Sequence, residues 1–181
     1  YIRLVEEKSE ETKIHALQKG DGNRYTASVS DFKKIPGSPI AYWVSDKIRD
    51  AFKNKLITEI GITRRGLQTG DGPRFIRYWH ETNIYKTGLY PKECKWYLMN
   101  NGGEFRKWFG NIEYVVNWEN NGHDIKSAEN AIIPNEKLYF KKAITWSRIT
   151  SGKLSFRLHH EGVMPGDISP CIYTKKSYEI L

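Results

Sequence analysis

From residue 56 onward the chain alternates short apolar segments with turn-forming residues, and this pattern restricts what it can fold into. The predicted strands cover residues 56–63, 75–79, 96–99, 112–118, 143–149 and 154–159. Runs of asparagine and glycine at residues 100–103 and 120–122 separate some of them, because both residue types tolerate positive φ. The sequence therefore predicts an α+β fold with a curved, mostly antiparallel or mixed sheet and few helices.

The last two predicted strands form a hairpin that turns at Ser151 and Gly152. In its second strand, apolar residues at positions 154, 156 and 158 alternate with polar residues at 155, 157 and 159. Successive side chains of a strand point to opposite faces of the sheet. The alternation therefore predicts that Arg157 and His159 lie on an exposed polar face.

The first part of the chain contains one strong helix signal. Apolar residues recur at helical spacing after Ser45, which can cap the helix, and the predicted span is 46–56. Two short strands are predicted before it, at residues 25–29 and 40–44. This part of the chain thus supplies the main helix of the predicted α+β fold.

Lysine and arginine outnumber aspartate and glutamate by 29 to 21, which gives a formal net charge of +8. Such an excess favours polyanionic partners, nucleic acid first, although it can also serve only solubility. Cys94 and Cys171 are isolated in the sequence, which predicts neither a zinc site nor a disulfide framework. No apolar run reaches the roughly 20 residues of a membrane span and no signal peptide is evident, so we expect a cytoplasmic protein without a membrane partner.

The glycine-rich stretch GLQTGDGPRF at residues 66–75 matches neither the dinucleotide fingerprint nor a P-loop. Two interpretations stay open for it: a loop whose backbone N–H groups and flanking arginines bind a phosphate or a base edge, or a tight turn. The histidines lack the spacing of metal ligands, and no serine or cysteine lies in a nucleophile motif. The sequence therefore predicts no catalytic, cofactor-binding or metal-binding residue.

Three basic segments are the candidate nucleic-acid contacts: loop 64–77, loop 103–109 and the hairpin 141–157. The second of them interleaves arginine and lysine with phenylalanine and tryptophan, which is typical of a surface that stacks on bases. Gln68 is the candidate base reader, because glutamine can pair bidentately with adenine. The predicted DNA-binding residues are Arg64, Arg65, Gln68, Arg74, Arg77, Arg106, Lys107, Arg148, Lys153 and Arg157.

Four blocks between residues 32 and 166 resemble the region after the catalytic domain in large bacterial N6-adenine DNA methyltransferases of phage-defence (BREX) and restriction-modification systems. The blocks are IPGSPIAYWVS, GLQTGDGPRFIRYWHE, GGEFRKWFGNIEYVVNWENNG and FKKAITWSRITSGKLSFRLHHEG. The resemblance implies a target-recognition domain that docks on double-stranded DNA and delivers a flipped adenine to a separate catalytic domain. It also implies S-adenosylmethionine as the cofactor of the parent protein, with no cofactor in this segment.

The catalytic motif of that family, Asn/Asp-Pro-Pro-Tyr/Phe, does not occur in the 181 residues, and the chain does not begin with methionine. The resemblance therefore predicts a fragment in which residues 1–44 end or join the missing catalytic domain and residues 45–181 form the target-recognition domain, possibly truncated. Its expected partners are double-stranded DNA, that catalytic domain and other defence-system subunits. Two alternatives stay open: a metal-dependent nuclease or hydrolase that uses His159, His160, Glu161 and Asp167, and a protein-interaction module.

Overall fold

The chain separates after Leu56 into two units, Tyr1–Leu56 and Ile57–Leu181. The computed structural model describes residues 1–20, 24–150 and 152–175. The sequence placed a boundary between functional regions after residue 44, and that boundary stays a prediction.

Unit 1 contains three helices among its described residues, 1–20 and 24–56. They are α1 (Glu10–Lys19), α2 (Val29–Phe32) and α3 (Asp46–Ala51). Helix α1 was not predicted, because it buries none of its residues and so lacks an apolar stripe. Its start is fixed by a capping box, in which Ser9 Oγ accepts from the Thr12 amide and Thr12 Oγ1 accepts from the Ser9 amide, each at 3.2 Å. Gly20 ends it with φ of 70°.

The rest of unit 1 departs from the predicted secondary structure. Helix α3 begins after Ser45 as predicted but ends at Ala51. The strands predicted at 25–29 and 40–44 are wrong, because the pairing in the described part of this unit is one isolated bridge, between Ile2 and Arg24. A strand needs a neighbouring strand to bond its backbone. Aromatic side chains provide the packing instead, with the rings of Tyr1 and Tyr42 stacked at 4.5 Å.

Unit 2 contains two sheets among the residues that the structure describes. The strands are β1 (Ile62–Arg64), β2 (Ile76–Tyr78), β3 (Thr87–Gly88), β4 (Trp96–Asn100), β5 (Tyr114–Asn117), β6 (Ala143–Trp146), β7 (Phe156–His159), β8 (Met164–Pro165) and β9 (Cys171–Tyr173). The helices are α4 (Ile57–Ile60), α5 (Gly72–Phe75) and α6 (Glu119–Lys126), and short 3-10 turns cover Trp79–Glu81, Ile84–Lys86 and Glu136–Leu138.

One sheet has the order β2-β5-β4-β3, with β8 also paired to β4, and the other has the order β1-β9-β6-β7. Strand β4 pairs antiparallel with β5 and parallel with β3 and β8, whereas every pair in the second sheet is antiparallel. The prediction of an α+β fold with mixed sheets and few helices is therefore confirmed.

The core of unit 2 lies where β4 and β5 meet the following helix. Tyr97 is paired with Val116 across these strands, and both are buried. Trp118, which directly follows β5, packs edge-on against Tyr139 with ring centroids 5.7 Å apart. Ile125 of α6 is fully buried in the same cluster. Burial of this apolar surface is the main source of stability for the scaffold that carries the loops.

The prediction that Arg157 and His159 lie on an exposed face is wrong, since both side chains are fully buried. Alternation along β7 does exist, but the polar face points inward and the apolar face is half-buried. The pattern identifies two faces, and hydrogen-bonding partners elsewhere in the fold decide which one is covered. Strands β6 and β7 pair antiparallel as predicted, while Ser151 of the predicted turn lies outside the described residues.

Candidate nucleic-acid interface

The glycine-rich segment Gly66–Gly72, called the strap below, is bonded to other backbone on both sides. The Leu67 amide donates to the Pro165 carbonyl at 2.8 Å. Gln68 exchanges two backbone hydrogen bonds with Ile132, at 3.0 and 2.9 Å. The strap therefore runs between two chain segments that are distant in sequence.

The glycines of the strap have different roles. A Cβ at Gly66 would lie 2.0 Å from the Pro165 carbonyl oxygen, and one at Gly70, where φ is 74°, would lie 2.5 Å from the Asn130 carbonyl carbon. Both positions need glycine because other backbone approaches too closely for a side chain. A Cβ at Gly72 would meet nothing within 4 Å. Close packing against distant backbone, which neither interpretation of this stretch included, accounts for Gly66 and Gly70.

The strap leads into the short helix α5, and Arg74 of this helix and Arg77 of the following strand β2 are both engaged locally. Asp71 Oδ1 accepts from the Arg74 amide at 3.1 Å and so caps the helix. The Arg74 guanidinium lies 4.7 Å from the centre of the Phe75 ring and remains exposed. Arg77 is half-buried and donates to the carbonyls of Pro73 and Ile76. Arg74 is thus the more accessible of the two predicted contacts.

Two predicted contacts, Arg65 and Arg148, converge on Asp167, and these three residues are called the Asp167 cluster below. Arg65 Nη1 lies 3.5 Å from Asp167 Oδ1, and Arg148 Nη1 lies 3.0 Å from Asp167 Oδ2. The arginine side chains are 42% and 54% exposed, whereas that of Asp167 is 18% exposed. Gln68 and Asp167 line the same surface cavity of about 280 Å³. Two guanidinium groups share one carboxylate, so the cluster keeps a surplus positive charge.

Asp167 is held in place by the backbone on either side of it. The Gly166 amide donates to the Asn100 carbonyl at 2.9 Å, and Ser169 Oγ accepts from the Gly102 amide at 2.6 Å. In the sequence analysis, Asp167 was a candidate only as a metal ligand of the nuclease alternative. Its position as the shared partner of two arginines was missed, because those arginines come from segments far apart in the chain.

A second basic segment, Gly102–Asn111, is called the aromatic loop below. It exposes about half of the surface of each of Phe105, Trp108 and Phe109. Exposed aromatic rings together with arginine and lysine suit contact with nucleobases, because every base offers a face for stacking. This agrees with the prediction that the segment lies at the surface as a loop.

Trp108 is fixed through its backbone. Its amide donates to the Phe156 carbonyl at 3.2 Å, and its carbonyl accepts from the Leu158 amide at 2.9 Å. Its φ is 73°, a left-handed conformation that bulky residues seldom adopt. Strand β7 therefore holds Trp108 in an unusual conformation while the side chain remains 55% exposed.

The charged groups of the aromatic loop are only partly neutralised. Arg106 Nη1 lies 3.4 Å from Glu113 Oε1, with both side chains half-exposed. Lys107 Nζ lies 5.8 Å from the centre of the Trp108 ring. Arg106 and Phe109 also line a largely apolar cavity of about 490 Å³.

Arg157 supports the aromatic loop from inside and is not a surface group. Its guanidinium donates to Ser155 Oγ and Ser147 Oγ, each at 3.2 Å, and Ser147 Oγ donates to the Gly103 carbonyl at 2.9 Å. Burial lowers the pKa of Arg157 from its ordinary value. Because a fully covered side chain cannot reach DNA in this conformation, the prediction of Arg157 as a DNA contact is corrected.

In the part of the chain that the structure describes, Arg64 and Lys153 make no side-chain bond to the other predicted contacts. Arg64 donates to the carbonyl of Thr63 at 2.9 Å and is exposed at the end of β1. Lys153 is exposed between β6 and β7. The structure thus brings Arg65 and Arg148 together at Asp167, places Gln68 at a cavity that Asp167 also lines, and leaves Arg64 and Lys153 as separate surface cations.

The groups of the nuclease alternative differ in environment. His159 is buried, with Nδ1 bonded to Asn100 Oδ1, and burial lowers its pKa to about 4. His160 is exposed and packs against the Phe109 ring at 5.4 Å. Within residues 1–20, 24–150 and 152–175, no three histidine, cysteine or acidic side chains are grouped to hold a metal ion. In the same residues no helix is long and apolar enough to cross a membrane.

Comparison with known proteins places this arrangement in context. No protein-family model matches the chain. The chain is 36% identical over 184 residues to the adenine-specific methyltransferase PglX of Lacticaseibacillus casei (strain Zhang), an alignment that covers 91% of the chain. It is 32% identical over 183 residues to the adenine-specific methyltransferase BrxX of Escherichia coli O9:H4 (strain HS), with 99% of the chain covered. The chain spans about 15% of the length of each relative.

Proposed function

The chain is homologous over nearly its whole length to one segment of the adenine-specific methyltransferases PglX and BrxX, and from this premise we propose that it is a DNA target-recognition segment. The parent is proposed to be an adenine-N6 DNA methyltransferase of a phage-defence or restriction-modification system. Residues 45–181 would hold double-stranded DNA, and residues 1–44 would connect to the catalytic domain.

The observation that carries this proposal is the convergence of Arg65 and Arg148 on Asp167. A guanidinium fork matches the oxygens of a phosphate, and Arg–phosphate hydrogen bonds are charge-assisted. Asp167 orients both forks yet neutralises only one charge. The surplus cation, exposed to solvent in a chain of net charge +8, favours a phosphodiester backbone as the ligand.

Gln68 is the proposed base-contacting residue, next to the phosphate-binding arginines Arg65 and Arg148. Its backbone amide and carbonyl are both bonded to Ile132, which fixes the residue in the strap. Gln68 lines the same cavity as Asp167. In this proposal the arginines set the register on the backbone and Gln68 contacts a base edge, since glutamine can pair with adenine.

Catalysis is assigned to protein outside this segment. We assign no catalytic, cofactor-binding or metal-binding role to residues of this chain. S-adenosylmethionine would bind in the parent's catalytic domain, which would receive the adenine flipped out of the duplex. The expected setting is the cytoplasm, with other defence-system subunits as further partners.

Binding of a mixed-sequence DNA duplex tests the proposal, because phosphate contacts dominate nonspecific affinity and no recognition sequence is required. The variant Arg65→Ala/Arg148→Ala is compared with Lys86→Ala/Lys92→Ala, which removes two exposed cations elsewhere in unit 2. Fluorescence anisotropy at low salt should show a roughly 100-fold loss for the arginine pair, since two charge-assisted contacts are lost. The lysine pair should stay within about threefold of the parent chain. Equal affinity for both variants would contradict the proposal.

A further inference from the structure

Trp108 combines three properties that do not suit a residue kept only for packing. It is 55% exposed, it has a φ of 73°, and it belongs to a loop that also exposes Phe105 and Phe109. A strained backbone persists only where neighbouring structure enforces it, and such residues cluster at functional sites. Because half of the ring is exposed, burial of the indole is not a sufficient reason for this conformation.

The loop is also held rigidly. Both backbone hydrogen-bonding groups of Trp108 are used by β7, as described above. Gly110, with φ of 119°, allows the chain to fold back, since a Cβ there would lie 2.7 Å from Arg106 Cδ. Beneath the loop, Ser147 connects the Gly103 carbonyl to the buried Arg157 guanidinium. A side chain presented in this way is already ordered before a ligand arrives, which lowers the entropy lost on binding.

Charge identifies the class of ligand for this exposed ring. Lys107 places one cation next to the exposed indole of Trp108, and Arg106 remains half-exposed although it is paired with Glu113. The hydrogen bonds of the buried Arg157 guanidinium within the described residues go to serine hydroxyls, which carry no neutralising charge. An aromatic ring with a cation beside it suits a planar ring attached to a polyanion, which describes a nucleobase in a nucleic-acid strand.

We propose that the aromatic loop is a wedge, in which Trp108 stacks against a base at a point where the duplex has been opened. This proposal rests on the DNA binding proposed above and specifies how the aromatic loop contacts the duplex. The basic residues of the loop attract the backbone, and the ring of Trp108 occupies the space left by a base that is missing or turned out of the stack. The ring thereby recovers stacking that the neighbouring base would otherwise lose.

A duplex with one abasic site tests this wedge, because the gap is already present and no base has to be unstacked. The chain should bind this duplex about tenfold more tightly than an intact duplex of the same sequence. Trp108→Ala should abolish that preference. Trp43→Ala removes a partly exposed tryptophan of unit 1 and should retain it. Anisotropy titrations of both duplexes measure the preference.

Trp108→Asn guards against an effect of misfolding, because asparagine adopts positive φ more readily than tryptophan. It should unfold at the temperature of the parent chain or higher and still lose the preference for the abasic duplex. If Trp108→Asn keeps that preference, or the parent chain has none while binding intact duplex, the wedge is overturned and the proposed function stands. If neither duplex is bound, the proposed function itself fails.

Discussion

The strap and the aromatic loop are both rich in glycine and associated with arginine, which flanks the strap and lies inside the aromatic loop, yet they use these residues differently. In the strap, Gly66 and Gly70 allow backbone contact, and Leu67 is buried. In the aromatic loop, positive φ at Gly102, Gly103 and Gly110 turns the chain while aromatic side chains remain exposed. Similar composition therefore gives a segment that packs against other backbone in one region and a loop that exposes aromatic side chains in the other.

The difference also separates two proposed roles. The strap positions Gln68 beside the Asp167 cluster, so its contribution to binding depends on packing that brings distant residues together. The aromatic loop carries its own contact residues, and β7 holds them through two backbone hydrogen bonds. Substitutions of Gly66 and Gly70 in the strap should therefore act mainly on stability, and substitutions at exposed side chains of the aromatic loop should act mainly on binding.

The largest expected effect is a loss of stability, and it should distinguish two glycines of the strap. Gly66→Ala should lower the free energy of unfolding by about 4 kcal/mol or more, because its Cβ would overlap the Pro165 carbonyl and force the backbone apart. Gly72→Ala is the matched control, since its Cβ enters open space, and it should change stability by less than about 1 kcal/mol. Urea unfolding measures both. Comparable losses at the two positions would refute the packing role of the strap.

A smaller loss of stability is expected at low pH. It involves the buried His159, which Asn100 connects to the aromatic loop. Asn100 Nδ2 donates to the Asn111 carbonyl at 3.2 Å, and Asn100 Oδ1 is bonded to the buried His159. The pKa of His159 is lowered from 6.5 to about 4, mainly by burial. The unfolded chain therefore takes up this proton first as the pH falls, and stability is lost between pH 6.5 and 4.

That loss should amount to about 3 kcal/mol between pH 7 and pH 4, from a pKa difference of roughly 2.5. His159→Gln cannot take up the proton, so its unfolding free energy should fall by about 3 kcal/mol less over the same range. Urea titrations of both proteins at the two pH values give the difference. An identical pH dependence would show that His159 does not carry this linkage.

The sequence predicted those parts of the fold that depend on local pattern. Strands β4 and β5 follow the predicted segments, because their alternating residues face one apolar core and turn-forming residues bound them. The inward face of β7 was assigned wrongly, since partners such as Ser147 for Arg157 are set by tertiary structure. Helix α1 was missed because capping and not an apolar stripe defines it.

For the candidate site, too, local sequence pattern predicted the residue types but not their tertiary partners. Loop composition identified the basic and aromatic segments, but no local pattern could pair Arg65 with Asp167, which is 102 residues away. The contrast between Gly66 and Gly72 likewise depends on which backbone segment approaches each position. Residue types could therefore be predicted from sequence, whereas their grouping around Asp167 required the fold.

The salt dependence of DNA binding tests most directly whether the Asp167 cluster grips the backbone. Removing one phosphate contact makes the slope of log K against log salt concentration less negative by about one. Arg65→Ala/Arg148→Ala should make the slope less negative by about two, whereas Trp108→Asn should leave it unchanged although it alters the preference for abasic DNA. A slope for the double arginine variant equal to that of the parent chain would contradict the account.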